Sequence, residues 1–434
     1  MDTIVAVGTA LSESGIAIVR ISGEDCVNIV TQLFRVKGKS LADCEERKMH
    51  LGTFSYDGIS DVCLGVRFQA PYSFTGEDVV ELHLHGGVRL AMHAVQACIA
   101  KGARLARPGE FTQRAFLNGK MTLAQAEGTA HAISAASDAE LRASFALSSG
   151  TLSVKIGEIS DALIDLISDI EVAIDYPEED VEVASLDVLQ EKIALALRDV
   201  DKLLDTRHTG KIVADGLNIA LLGKPNVGKS SLLNALVGED CAIVTDVAGT
   251  TRDRLTERIQ HRGVRFNLVD TAGLRESDDL VEKIGIDRSR EAAKTCDLAL
   301  IVTDHTFGAE DEDIIASVTC PKIIVANKTD LGASHGDHLV CAKTGEGVEE
   351  LKQKIYDTYV DGDVIAGGMM LTDARHVSAL TEAKNCLVRA LECFEPAVMT
   401  VDLRQAVAEL GKIDGATVSE EITDAIFAKF CLGK

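Results

Sequence analysis

The octapeptide Gly223-Lys224-Pro225-Asn226-Val227-Gly228-Lys229-Ser230 stands between an apolar run ending at Leu222 and the helix-patterned Ser231-Leu232-Leu233-Asn234-Ala235-Leu236. No other stretch restricts the fold so tightly. Glycines at the bend and a helix directly behind it let consecutive backbone N–H groups turn inward around phosphate oxygens, and the helix N-terminus adds partial positive charge. Lys229 offers a point charge to the terminal phosphates, and Ser230 an oxygen ligand to Mg²⁺. A strand–loop–helix of this kind belongs to a doubly wound α/β sheet. The flanking sequence continues the pattern from about 216 to 360, with strand-like runs at Ile219–Leu222, Phe266–Val269, Leu298–Val302 and Ile323–Ala326 alternating with helix-like ones.

Three downstream segments turn a phosphate site into a GTP site. Asp270-Thr271-Ala272-Gly273 follows a strand, where the aspartate would hold the Mg²⁺ shell and the Gly273 N–H would sense a γ-phosphate. Asn327-Lys328-Thr329-Asp330 follows another. A carboxylate there accepts two hydrogen bonds from guanine, N1–H and the exocyclic amine, and a site left with unpaired polar groups rejects adenine. Cys341-Ala342-Lys343 occupies the place of the usual Ser-Ala-Lys, with the Ala342 N–H available to the guanine oxygen and a modest affinity cost expected from the cysteine. Thr251, within Ala248-Gly249-Thr250-Thr251-Arg252-Asp253, is the natural switch threonine reaching Mg²⁺ from a loop that orders on GTP binding. The expected nucleotide contacts are Asn226, Val227, Gly228, Lys229, Ser230, Ser231, Thr245, Asp246, Val247, Ala248, Gly249, Thr250, Thr251, Asp270, Thr271, Ala272, Gly273, Asn327, Lys328, Asp330, Cys341, Ala342 and Lys343.

The position after Asp270–Gly273 is Leu274, which cannot orient an attacking water as a glutamine does in many small GTPases. Asn226 faces the phosphates and could ligate a monovalent cation in the place an arginine finger takes elsewhere. Glu282 is the nearby candidate for the water, although by pattern alone a charged helix residue is a solvated one.

The 434-residue chain is long enough for two or three domains. Residues 1–118 carry short β-branched runs broken by glycine, such as Ile16–Ile21 and Val79–Leu84, and predict a compact α+β domain. Helical spacing follows in 119–212 (Leu123, Ala126 and Ala130; Leu163, Ile167, Ile170 and Ile174), with a break at Pro177 and its acids, and returns over 370–434. The α/β domain, 213–369, is thus inserted between two halves of a helical one. The expected class is multidomain α/β.

A net charge of -24 leaves no general basic surface for nucleic acid, so any RNA should be met through a local patch or a partner. No apolar run reaches the roughly 20 residues of a membrane span, and the N-terminus lacks a basic region before an apolar stretch. The 11 cysteines form no CxxC pair and read as reduced cytosolic thiols. His83 and His85 share one face of a strand, but two histidines without a third ligand make a poor metal site.

Outside the GTPase motifs the chain resembles the MnmE (TrmE) family of tRNA-modifying GTPases. The resemblance rests on Phe74-Thr75-Gly76-Glu77-Asp78 with Glu81 and His85-Gly86-Gly87, on Ala106-Arg107-Pro108-Gly109-Glu110-Phe111-Thr112, on Arg114-Ala115-Phe116-Leu117-Asn118, on Leu123–Glu127, and on the terminal Cys431-Leu432-Gly433-Lys434. It implies an N-terminal domain that binds a tetrahydrofolate (a 5-formyl or methylene form) through Arg20, Glu81, Lys120 and Lys434, and that forms a homodimer. It implies a flavoprotein partner, MnmG, carrying FAD and using a nicotinamide cofactor, in a heterotetrameric or larger cytoplasmic complex that meets tRNA. Together they would install an aminomethyl-type group at C5 of the wobble uridine. It further implies Glu282 as the water-orienting glutamate, Cys431 beside the folate with a hypothetical role in the chemistry, and K⁺ held by Asn226, the Thr245 and Val247 carbonyls, and Thr250. The family's Pro/Gly-rich stretch is replaced by Thr9–Gly15. A ribosome-associated regulatory GTPase without modification chemistry, and a stand-alone folate-dependent transferase, would share the GTPase motifs.

Overall fold

The structure is a computed structural model that describes residues 2–175, 185–238, 256–270, 296–332, 335–430 and 433. It divides into two compact units. One comprises Met1–Ala130, Ser148–Ser160 and Ala408–Lys434, the other His131–Leu147 and Asp161–Val407.

The first unit is built on an eight-stranded sheet: β1 (Ile4–Val7), β2 (Ile16–Ser22), β3 (Phe34–Val36), β4 (Lys39–Ser40), β5 (His50–Tyr56), β6 (Ile59–Phe68), β7 (Val79–His85) and β8 (Arg104–Leu105). Their spatial order is β4-β3-β5-β6-β7-β2-β1-β8, antiparallel except for β1 against β8. The β-branched runs expected as strands form β2 and β7, and alternation along them sorts their side chains by face. Ala17, Val19 and Ile21 of β2 and Val80, Leu82 and Leu84 of β7 point into a core shared with the helices Cys26–Thr31 and Val88–Ala100. The second helix contributes Ala91, Ala94, Val95 and Cys98, the spacing of one helical face. Arg20, Glu81 and His83 are left on the opposite face of the sheet. Between β5 and β6 the link is the two residues Asp57-Gly58, both at positive φ, a turn whose twist matches that of a hairpin. Within this unit Leu123, Ala126, Phe427 and Phe430 form a small cluster that joins the helix Leu123–Ser134 to the C-terminal helix Glu420–Phe427.

The second unit holds a six-stranded sheet: β9 (Leu217–Leu222), β10 (Thr256–His261), β11 (Val264–Asp270), β12 (Leu298–Thr303), β13 (Lys322–Ala326) and β14 (His338–Leu339), in the order β10-β11-β9-β12-β13-β14. The four strands expected from apolar runs are present and parallel. Every residue of β12 is buried, as expected for a strand covered on both faces. Beyond the expected strands there is a short parallel edge, β14, and an antiparallel one, β10, joined to β11 by the two-residue turn Arg262-Gly263. Helical chain enters and leaves this sheet: Leu186–Asp205 and Arg207–Asp215 precede β9, and Val348–Tyr359, Gly362–Gly367 and Ala374–Glu392 follow β14. Leu189, Ile193, Ala196 and Val200 of Leu186–Asp205 pack against Ala379, Leu380, Ala383 and Leu387 of Ala374–Glu392. The fold class is multidomain α/β, with an α+β N-terminal part, helical chain, and a doubly wound P-loop domain inserted in it. The acid-rich break at Pro177 lies outside the described residues.

Candidate functional site

At the carboxyl ends of β9, β12 and β13 three loops converge, the crevice where open α/β sheets bind ligands. β9 runs into Gly223, and the chain bends through Asn226 (φ 64°) and Gly228 (φ 96°) before the helix Lys229–Val237 begins. A Cβ on Gly228 would lie 2.3 Å from Asn327 Nδ2, so the residue is fixed by close approach as well as by its dihedral. Lys229 Nζ donates to the carbonyls of Gly223 (2.7 Å) and Lys224 (2.6 Å), arching the lysine over the loop. Ser230 and Ser231 stand exposed in the first helical turn.

Asn327, 2% exposed, ties the base-side loops to the phosphate loop. Its Nδ2 donates to Val227 O at 3.0 Å, and its Oδ1 accepts from Ala342 N at 3.0 Å. Lys328, in the left-handed region, donates to Asn226 O (2.7 Å) and to Asp304 Oδ2 (2.9 Å). Asp330 lies exposed on the short turn Thr329–Leu331, and Lys343 is also exposed. Cys341 is buried; its N–H donates to Glu346 O, which closes the turn that presents Ala342. The residue after Thr303 is Asp304. Burial pushes its carboxyl up, but hydrogen bonds from Lys328 and Thr306 overcome this and hold it well below the usual carboxylate range. Lys224 donates to Thr306 O (2.9 Å) and pairs with the buried Asp311 at 2.6 Å, which raises its pKa.

The structure therefore brings together Asn226, Val227, Gly228, Lys229, Ser230, Ser231, Asn327, Lys328, Asp330, Cys341, Ala342 and Lys343. Asp270 closes β11, and its backbone is in register with Leu221 in the strand that feeds the phosphate loop. Thr245, Asp246, Val247, Ala248, Gly249, Thr250, Thr251, Thr271, Ala272, Gly273 and Glu282 lie outside the described residues, as do Cys431 and Lys434. Sequence reasoning missed Lys224, Asp304 and Asp311 as supports. Their partners are remote in sequence, and the only local signal was an aspartate at a strand end.

In the first unit, Arg20 on β2 faces Glu81 on β7, with Nε donating to Oε1 at 2.8 Å; His83 Nε2 lies 3.2 Å from Oε2. The Arg20 guanidinium sits 5.5 Å from the Phe74 ring centroid and 5.8 Å from that of Phe111. Lys120 Nζ donates to Pro71 O. The sheet face thus carries a cation, a carboxylate and aromatic rings side by side. His83 and His85 take different partners, since His85 Nδ1 meets Asp61 at 2.5 Å. Among the described residues no group of three or more His, Cys, Asp or Glu could hold a metal ion. Nearby, the motif residues Glu77, Glu110 and Arg114 join Asp2 and Arg104 in one ion cluster, with Arg114 donating to Glu77, Asp2 and Glu110.

Two family models match the chain: the GTP-binding protein TrmE N-terminus over residues 3–120, and the MnmE helical domain over residues 123–431. The tRNA modification GTPase MnmE of Bacillus mycoides (strain KBAB4) is 40% identical over 100% of this chain and 99% of its own length, and that of Bacillus cereus (strain ATCC 14579) matches to the same extent. Among solved structures, the G domain of the T. maritima FeoB iron transporter aligns at 27% identity over 32% of this chain and 97% of that one, with a TM-score of 0.25. No helix among the described residues is long and apolar enough to cross a membrane. With family models matching in both its N-terminal and its later part and with full-length relatives at this identity, the chain belongs to the MnmE (TrmE) family.

Proposed function

We propose that this protein is a potassium-dependent GTPase of the cytoplasm that works in tRNA modification. The observation that carries the reading is Asn327, buried and bonded at once to the phosphate loop and to the Ala342 amide, so that base-side and phosphate-side motifs form one preorganised site. Asp330 would accept from guanine, Ala342 N–H would donate to its oxygen, and the loop amides with Lys229 would hold the phosphates. Gly228 lets the phosphate loop pass close against Asn327, since a Cβ there would collide with that side chain. Ser230, Thr251 and Asp270 would hold Mg²⁺. Asn226, Thr245, Val247 and Thr250 would hold K⁺, which supplies positive charge against the transferring phosphoryl group. Glu282 would orient the attacking water.

On the first unit's sheet, Arg20, Glu81 and Lys120, with the C-terminal Lys434, would bind a tetrahydrofolate. A cation, a carboxylate and the rings of Phe74 and Phe111 suit an anionic tail and a flat polar pterin. The proposed division is a folate and dimerisation domain at 1–118, a helical domain of 119–212 with 370–434, and a GTPase domain at 213–369. As a homodimer, with the flavoprotein MnmG carrying FAD and using a nicotinamide cofactor, the protein would help install an aminomethyl-type group on the wobble uridine. In that complex tRNA is met mainly through the partner, consistent with a net charge of -24 on this chain. Cys431, beside the folate, is a candidate for the modification chemistry.

The test is GTP turnover by the purified protein at matched ionic strength in potassium and in sodium, with Glu282→Ala alongside. Potassium should accelerate turnover at least tenfold, about 1.4 kcal/mol of barrier, and the variant should lose that acceleration. Equal turnover in both salts would overturn the cation mechanism.

A further inference from the structure

The cysteines form no sequence pair, yet the fold makes one. Cys296, just before β12, and Cys320, just before β13, place their sulfurs 3.3 Å apart. The parallel register sets Ala299 opposite Lys322; carried back two residues, it sets Asp297 opposite Cys320, one position from Cys296. Adjacent strands run about 4.8 Å apart, which brings this diagonal pair within the Cα separation that a disulfide requires. Both thiols are half-buried at the edge of a cluster formed by Leu222, Ala299, Ile301 and Val318, so a small oxidant can reach them.

We propose that Cys296 and Cys320 form a reversible disulfide, a redox modification site at the end of the sheet opposite the nucleotide. The oxidant is a low-molecular-weight disulfide. The Cys320 thiolate attacks one of its sulfurs, forming a mixed disulfide and releasing a thiolate. Cys296 then gives up its proton and attacks Cys320 Sγ, releasing the second thiolate. Two electrons pass from the cysteines to the small disulfide, which leaves as two thiols.

Cys296 suits the second step. Burial first, then the neighbouring Cys320, pushes its thiol up to about 12; once Cys320 is taken into the mixed disulfide its share of that shift is lost, and Cys296 Sγ already stands beside the sulfur it attacks. Tyr359 flanks the pair, its hydroxyl raised by burial and then by Cys320, Asp297 and Cys296. The loop that the bond would close carries Asp304 and Asp311, the carboxylates that hold Lys328 and Lys224. Oxidation therefore braces the platform under the phosphate loop while leaving the site itself unmodified.

The experiment incubates the full-length protein with oxidised glutathione under native conditions, quenches with N-ethylmaleimide and maps peptides by mass. The expected product is a Cys296–Cys320 cross-linked peptide that dithiothreitol reverses, with slower hydrogen exchange across β12 and Ala309–Ser317. Cys296→Ser should trap Cys320 as the glutathione adduct, while Cys320→Ser should abolish the cross-linked peptide. The reduced Cys296→Ala/Cys320→Ala double variant should turn over GTP at the wild-type rate and show no change in exchange on oxidation. A persistent Cys320 adduct in the wild type, or oxidation confined to Cys44 and Cys393, the other half-buried cysteines among the described residues, would overturn the proposal.

Discussion

Replacing Glu110 by glutamine removes one charge from an enclosed cluster while nearly preserving shape. The Glu110 side chain is 3% exposed. It accepts from Arg104 Nη1 at 2.9 Å, from the Arg107 N–H at 2.8 Å and from Arg114 Nη2 at 3.3 Å. Burial pushes the carboxyl up, but Arg104, the Arg107 amide and Arg114 together prevail and bring it from 4.5 down to about 2. A folded pKa below the unfolded one means stability that is present above the unfolded value and lost as pH falls toward the folded one. At about 1.4 kcal/mol per pH unit, the carboxylate contributes about 3 kcal/mol at pH 7 and about 2 kcal/mol at pH 3.5. Glutamine does not titrate, so the difference between wild type and Glu110→Gln should be about 3 kcal/mol at neutral pH and about 1 kcal/mol smaller at pH 3.5. Hydrogen exchange of the amides in β1 and β8, read by mass spectrometry on the full chain, gives the opening free energy around the cluster at both pH values. A difference below about 1 kcal/mol at pH 7, or one that does not shrink on acidification, would refute the assignment of this stability to the Glu110 charge.

Three further outcomes concern the nucleotide site. Gly228→Ala forces a side chain into a φ of 96° and against Asn327, so GTP affinity in a fluorescent-nucleotide titration should fall by about 100-fold, the sum of backbone strain and a broken buried hydrogen bond. Asp330→Ala should weaken GTP by a similar factor, on the order of 100-fold, yet leave ATP binding as poor as before, since its loss is confined to guanine contacts; an equal effect on both nucleotides would place Asp330 elsewhere. Asp304→Asn removes the counter-charge of Lys328 and should speed GDP release about tenfold in stopped flow. Because the Asp304 carboxyl titrates below the usual range, the wild type should keep slow release from pH 8 down to pH 5; acceleration between pH 7 and 5.5 would mean another group governs release.

The parts of this fold that were legible in the sequence are those with a local physical requirement. A phosphate loop must offer backbone amides at close range, which demands glycine at fixed offsets, and Gly223 and Gly228 stand where a Cβ would strike Val302 O or Asn327. Strands covered on both faces are predominantly apolar, so β9, β12 and β13 were readable as runs. By contrast β10, Thr256–His261, has only Ile259 as an apolar core residue and escaped notice, although Arg262-Gly263 signalled its turn.

Supports for the site were illegible for a different reason. An ion pair needs one charge of each sign in reach, a condition that any of 44 basic and 68 acidic residues can meet. Only the topology selects Asp311 for Lys224, Asp304 for Lys328, or Asp2 for both Arg104 and Arg114. The same holds for Cys296 and Cys320, two thiols 24 positions apart that become neighbours because β12 and β13 run parallel in register. Ligand contacts are thus written locally, whereas the groups that fix those contacts in place are written in strand order and register. Substitutions at Asp304 or Asp311 should accordingly act through the position of the phosphate loop, changing nucleotide exchange with the guanine preference set by Asp330 unaltered.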